Sequence, residues 1–201
     1  MGRPNDKTDC SLILSSPVSA GDDTCINSLA VSEPTDTVAL LVTYTNHDRP
    51  TNWIQAWEQN TGERPAQLNV VRVGDFTRSA SPATTDGAPT LNGGIPIETV
   101  SDPHNLAELG IAISECLGRW EAEIEDNESS NFVVCFDSLT ELLQHVDVQE
   151  TFRFLHVLTG RLQSAGAVAH FHLNPEAHDD QTITTLRTLF DAVIEGTDSP
   201  V

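Results

Sequence analysis

The sequence predicts a three-layer α/β fold in which a mostly parallel sheet is covered by helices on both faces. Short apolar runs alternate with amphipathic stretches along all 201 residues, and several runs are apolar at nearly every position, as in strands buried on both faces. With 38% hydrophobic residues, a chain of this length builds one domain with a sizeable core. We assign residues 1–9 to a polar tail, 10–197 to the domain and 198–201 to a second tail.

Seven apolar segments are predicted as strands, because each is short, rich in β-branched or other apolar residues and bounded by polar or turn-forming residues. They are Ser11–Ser15, Val38–Thr43, Asn69–Val73, Ile95–Val100, Phe132–Phe136, Ala167–Leu173 and Phe190–Glu195. Strands that alternate with helices imply parallel pairing through right-handed crossovers.

Capping signals and apolar spacing predict the helices between these strands. The pair Trp53 and Trp57 is spaced to anchor a helix to the sheet, which is a commoner role for such a pair than ligand stacking. Asp102-Pro103 supplies an N-cap and a first-turn proline for a helix that runs to Ile124. Ser138 and Glu141 form a capping-box pair, a further apolar stripe runs over 152–162, and Asp179 or Asp180 caps the last helix.

One segment fits no regular element. Residues 75–94 are rich in Gly, Pro, Ser, Thr and Ala. Because loops near twenty residues are long for a compact domain, we predict a flexible loop that is either mobile or functional.

The charge balance excludes two classes of partner. Thirty acidic residues stand against ten basic ones, of which Lys7 is the only lysine, and the formal net charge is −20. No basic run is present to contact nucleic-acid phosphates or an anionic membrane, and no apolar stretch approaches the ~20 residues of a membrane span. We therefore expect a cytoplasmic protein that binds neither.

The acidity is spread through the sequence, which is typical of cytosolic proteins from high-salt organisms. At molar salt the Debye length is about 3 Å, so neighbouring carboxylates are screened from each other. The alternative is an acidic mesophile protein with a partner-binding face. The four cysteines lie far apart without a C-x-x-C pair and are predicted to be reduced core residues, in preference to a disulfide or zinc role: Cys10, Cys25, Cys116 and Cys135.

Two strand ends carry the motifs that point to a ligand. In a parallel sheet the ligand site lies at the carboxyl ends of the strands. Residues 16–24 follow the first strand and match the phosphate loop G-x-x-x-x-G-K-[ST] at Gly21 only, with Ser16, Asp22 and Asp23 at the first glycine, lysine and hydroxyl positions. The fifth strand ends in Asp137-Ser138, a form that anchors Mg²⁺ in many such sheets.

With these two loops placed, the sequence resembles the RecA/KaiC-like ATPase superfamily. It looks closest to haloarchaeal KaiC-like proteins with a degenerate phosphate loop. The resemblance covers roughly residues 10–195 and is most specific over 131–195, through NFVVCFDSLTELLQHV, TFRFLHVLTGRL and HFHLNPEAHDDQTITTLRTLFDAVIE. It implies a RecA-like arrangement of the sheet and a nucleotide site at its strand ends.

The resemblance also implies that the site has lost catalysis. In active members the lysine of the loop binds the phosphates and the next hydroxyl binds Mg²⁺. Asp22 and Asp23 stand at these positions here and would repel phosphate. Each such charge pair at about 4 Å is worth about 4 kcal/mol at a dielectric constant near 20. The glutamate pair that follows the second core strand is replaced by Tyr44-Thr45-Asn46. The vestigial site then comprises Ser16, Gly21, Asp22, Asp23, Thr24, Thr45, Asn46, Asp137, Ser138 and His172. For Asp137 and Ser138, capping of the next helix competes with a retained Mg²⁺ contact.

We accordingly expect a non-catalytic regulatory or scaffolding module without a cofactor, whose partner is a protein such as a KaiC-like or signalling protein. Two alternatives stay open. The first is a protein that binds ATP and Mg²⁺ weakly through an atypical loop. The second is a metal-dependent hydrolase built on His170, His172, His178 and Asp179, because the first two histidines share a strand face and a third ligand would leave one open position. Ordinary burial of His170 under a helix competes with that role.

Overall fold

Eight strands form one sheet in the order β4-β5-β3-β2-β6-β7-β1-β8. The computed structural model describes residues 9–15, 21–29, 34–44, 48–74, 90–91, 95–124 and 131–195. The strands are β1 (Cys10–Leu14), β2 (Thr37–Tyr44), β3 (Gln67–Val73), β4 (Thr90–Leu91), β5 (Ile95–Val100), β6 (Asn131–Asp137), β7 (Val168–Leu173) and β8 (Ala192–Glu195). The helices are α1 (Gly21–Leu29), α2 (Arg49–Thr61), α3 (Leu106–Ile124), α4 (Leu139–Leu142), α5 (Val148–Ala165) and α6 (Asp180–Arg187), with 3₁₀ turns at Pro34–Asp36 and Pro175–Ala177.

The predicted mostly parallel sheet is confirmed. All neighbours pair in parallel except β4, which pairs with β5 in antiparallel fashion. Each of the seven predicted strands is present within a few residues of its predicted bounds. The prediction that residues 75–94 are loop throughout is wrong at one place, because the short strand β4 lies within them. The other residues of that segment lie outside the described residues.

Helices cover the sheet on both faces, so the core has two halves. Side chains of α1 and α2 pack with alternate residues of the central strands, among them Val133 and Cys135. The helices α3 to α6 pack with the other set, among them Phe132 and Phe136. Because β6 is covered on both sides, its sequence is apolar at every position from 132 to 136 and not only at alternate ones.

The tryptophans of α2 have the predicted anchoring role. The rings of Trp53 and Trp57 lie 5.1 Å apart between centroids. Both are buried with Leu41 and Val70 of the sheet. These contacts anchor α2 to the sheet.

The helix caps agree with the sequence at two positions and differ at one. Ser138 accepts a hydrogen bond from the Glu141 N–H at 3.4 Å, and Asp179 accepts one from the Thr182 N–H at 2.8 Å. The prediction that Asp102-Pro103 starts α3 is wrong, since the Asp102 side chain accepts from the His104 N–H in a turn ahead of the helix. Asn105 caps the helix instead, because its side-chain oxygen accepts from the Glu108 N–H.

Within the described part of the chain, none of the helices combines the length and the apolar composition needed to cross a membrane.

Candidate functional site

The predicted site lies at the carboxyl ends of β1, β6 and β7. Because β7 pairs with both β1 and β6, the carboxyl ends of β1 and β6 flank one strand and lie about 10 Å apart. Helix α1 begins at Gly21, so Gly21 to Thr24 form its first turn. Ser16, Thr45 and Asn46 lie outside the described residues.

An ion pair occupies the acidic strand end. Asp137, the last residue of β6, pairs with Arg49, the first residue of α2. Their side chains are only 23% and 12% exposed. Sequence reasoning missed Arg49, since only the pairing of β2 with β6 places the residues after β2 beside Asp137.

The position of Arg49 is unfavourable for the helix that carries it. A cation in the first turn of a helix is repelled by the positive end of the helix dipole. The partly buried pair with Asp137 compensates this repulsion. The ion pair with Asp137, and not a favourable interaction with α2, therefore explains the position of the Arg49 guanidinium.

A second carboxylate stands beside the pair. Burial first, and then the charge of Asp137, raise the pKa of Glu141 from 4.5 to about 7, against opposing contributions from Ser138 and Arg49. Ser138 holds the backbone of Glu141 as the cap of α4, so the capping role predicted for Ser138 is present. The described end of β6 thus gathers two carboxylates and one guanidinium.

His172 does not line an opening at the strand ends. Its ring is buried, as are the thiols of Cys25 on α1 and Cys135 on β6. The Cys135 Sγ lies 3.5 Å from the His172 Nε2 and 3.8 Å from the Cys25 Sγ. These three ligand atoms all lie within 4.8 Å of one another.

Contacts within this cluster shift the pKa values of Cys135 and His172. The contact with Cys25 lowers the pKa of the Cys135 thiol against the effect of burial, and the His172 ring lowers it further. Burial alone would lower the pKa of His172, but the Cys135 thiolate raises it above its usual value. The arrangement favours a thiolate on Cys135.

The alternative metal set is not assembled as predicted. Within the described chain, His172 is the only one of the four proposed residues that belongs to a group of three ligand atoms within 4.8 Å, and its neighbours there are cysteines. His170 is buried, and this burial lowers its pKa to about 3. Asp179 is committed to capping α6 through both carboxylate oxygens. The competing prediction, burial of His170 under a helix, is the one that the structure shows.

The cysteines are buried as predicted, but two of them also contact a histidine, which was not predicted. All four are buried and none forms a disulfide: Cys10, Cys25, Cys116 and Cys135. The prediction that they serve only as small core residues did not anticipate that two of them meet a histidine. No spacing motif could have shown this, because 110 residues separate the two cysteines and 37 separate Cys135 from His172.

Fold and site together define a three-layer α/β domain with a mostly parallel sheet, an acidic cluster at one strand end and a thiol-imidazole cluster beneath α1. The chain belongs to a family of unknown function, DUF7504, whose pattern matches residues 10–196. No curated protein matches the sequence.

A solved structure shares the fold. It is a protein of Pyrococcus horikoshii OT3, described as a structural study of Project ID PH0250, with a TM-score of 0.52 and 12% sequence identity. The likeness covers 95% of this chain and 83% of that one. At this identity it supports the fold alone.

Proposed function

We propose that the chain is a non-catalytic regulatory or scaffolding module of the RecA/KaiC-like type, acting in the cytoplasm through a protein partner. The observation that carries the proposal is the ion pair between Asp137 and Arg49. In the ATPases that the sequence resembles, a carboxylate at this strand end supports Mg²⁺. Here the chain's own guanidinium neutralises that carboxylate, so Mg²⁺ would have to displace a partly buried cation.

The first turn of α1 supports the same proposal. Phosphate binds at helix N-termini because the N–H groups and the helix dipole attract anions. At α1 this attraction is opposed by the negative charges of Asp22 and Asp23, which the sequence motif aligns with the lysine and the hydroxyl residue of the active proteins. Attraction at the N-terminus and repulsion by two aspartates leave little net affinity for a nucleotide.

An apolar surface between α3 and α5 supports the protein partner. A groove of about 790 Å³ lies between the two helices. Ile111 and Val157, on its two sides, are 59% and 71% exposed. Exposed apolar patches of this kind mark protein contacts. With a net charge of −20, the chain favours a partner whose apolar contact residues lie within a basic surface.

The nucleotide half of the proposal is tested by turnover and binding in molar salt. We expect no ATP hydrolysis above background by the purified chain. Asp22→Lys with Asp23→Thr should improve nucleotide binding, measured by calorimetry, and leave hydrolysis at background because no described group positions the water. Arg49→Gln should raise Mg²⁺ affinity several-fold by freeing Asp137, since removal of an adjacent cation favours a divalent ion.

The matched control is Arg64→Gln, which removes the guanidinium that pairs with Glu58 on the exposed side of the same helix. It should leave Mg²⁺ affinity unchanged. ATP hydrolysis that survives rigorous purification would contradict the proposal, and tight nucleotide binding by the wild type would favour the weak ATP-binding alternative.

The partner half is tested on the groove. Ile111→Asp with Val157→Asp should abolish co-purification of the partner from the native host, because two charges enter an apolar contact. The melting temperature should hardly change, since both side chains are exposed. Gln181→Asp with Thr184→Asp adds the same charge at exposed positions of α6 and should leave the partner bound. Equal recovery with both double variants, or a chain that is monomeric and alone in molar salt, would contradict this half.

A further inference from the structure

We propose that Cys25, Cys135 and His172 bind a zinc ion that ties α1 to the sheet. The three ligand atoms come from α1, β6 and β7 and lie within 4.8 Å of one another. All three side chains are at most 5% exposed. The cluster shares no residue with the neighbouring ion pair between Asp137 and Arg49, and the inference does not depend on the proposed function.

The distances carry the inference. Tetrahedral zinc holds sulfur at about 2.3 Å and imidazole nitrogen at about 2.0 to 2.1 Å, which sets two sulfur atoms about 3.8 Å apart and a sulfur and a nitrogen about 3.5 Å apart. The two sulfur atoms are 3.8 Å apart here. The Cys135 Sγ and the His172 Nε2 are 3.5 Å apart. Two edges of the coordination tetrahedron are therefore already present.

The charges also balance. A buried charge is costly unless it is paired or bound to a metal. Two cysteine thiolates neutralise a divalent cation, and a neutral imidazole adds a third donor without further charge.

The donor types select the metal. Thiolate and imidazole ligands suit zinc, whereas Mg²⁺ and Ca²⁺ prefer oxygen. The two sulfur atoms, 3.8 Å apart, are too far from each other for the covalent bond of about 2.05 Å in a disulfide. Three protein donors leave the fourth position to a ligand such as water.

The position of Cys25 indicates what the metal does. Helix α1 has nine residues and carries Cys25 at its centre. Helices this short are marginal without tertiary contacts. A zinc ion bound by Cys25, at the centre of α1, and by Cys135 and His172 of the sheet would hold this short helix on the sheet.

The test measures zinc in the native full-length chain. Protein purified from its host in molar salt under reducing conditions should contain about one zinc per chain by mass spectrometry of the metal. Cobalt substitution should give thiolate-to-cobalt charge-transfer bands and the visible bands of tetrahedral cobalt. Cys135→Ser and His172→Gln should each lower zinc affinity by at least about tenfold, and a chelator should lower the melting temperature of the wild type but not of these variants.

Cys116→Ser is the matched control, because this buried cysteine lies on α3 outside the cluster. It should retain the zinc and the cobalt spectrum. Should the cluster variants fail to fold, X-ray absorption on the wild type should still show two sulfur neighbours and one imidazole nitrogen. Wild-type protein that neither contains nor takes up zinc would overturn the inference, and so would a disulfide between Cys25 and Cys135 in the native protein. Equal loss or equal retention of zinc in the cluster variants and in Cys116→Ser would also overturn it, because it would indicate an adventitious ion on the acidic surface.

Discussion

Lowering the salt concentration from molar to about 0.05 M is expected to unfold the chain. The Debye length is about 3 Å at 1 M and about 10 Å at 0.1 M, so this dilution lengthens the range of charge repulsion several-fold. Thirty carboxylates against ten basic residues leave a net charge of −20 to repel itself in the compact state. Self-repulsion of this kind destabilises folded proteins.

The ion pairs cannot offset that repulsion. Ion pairs with carboxylates are formed by Arg49, Arg64, Arg119 and Arg161. Exposed pairs contribute about 0 to 1 kcal/mol each, and the one formed by Arg64 is of this exposed kind. The net repulsion is therefore set by the excess of acidic over basic residues and by the salt that screens their charges.

Far-ultraviolet circular dichroism and the melting temperature at both salt concentrations measure the effect. A low-salt sample with sucrose is the control, since an excluded osmolyte stabilises folded proteins without screening charge. We expect molar KCl to restore the fold and sucrose to restore it only in part. An unchanged spectrum with equal melting temperatures would favour the acidic mesophile alternative.

Glu141→Gln is expected to stabilise the protein above pH 7 and to have no such effect below about pH 4.5. The pKa of this carboxyl is raised from 4.5 to about 7, first by burial and then by Asp137. The folded state therefore binds the proton more tightly than the unfolded state, so the favourable contribution is complete below pH 4.5 and is lost as the pH rises through 7. Because glutamine carries no charge that folding would bury, the variant does not lose this stability at high pH.

At pH 8 the free energy of unfolding is expected to rise by about 1 to 2 kcal/mol. A shift of one pKa unit corresponds to about 1.4 kcal/mol, and solvent screening reduces the effect because Glu141 is only partly buried. Thermal unfolding at pH 4.5 and pH 8 in molar salt measures it. Glu115→Gln removes a carboxylate at an exposed position of α3 and should change stability little at either pH. A gain that is equal at both pH values would contradict the prediction.

Apolar patterning was sufficient to predict the layers of the fold. The run from Phe132 to Phe136 is apolar on both strand faces, which requires cover on both sides, and the sheet has it. Capping chemistry is local as well, so Ser138 and Asp179 could be assigned from neighbouring residues. The start of α3 was missed because Asp102 and Asn105 both carry capping side chains, and the turn at His104 decides between them.

The candidate site was predicted only where it depends on a single strand end. Asp137 follows directly from the end of β6, whereas its partner Arg49 and the contacts of His172 depend on which strands are neighbours. Sequence separation carries no information about that order, because parallel strands are joined by crossovers of a dozen residues or more.

What the sequence determined by itself is therefore the seven parallel strands, the acidic composition and the replacement of phosphate-binding residues by Asp22 and Asp23. Only the tertiary structure decided that β6 lies between β2 and β7. That order brings Arg49 to Asp137 and brings His172 to Cys135 and Cys25. The physical reason is that side-chain periodicity records which face of an element is buried, while the neighbour on that face is chosen by packing of the whole sheet.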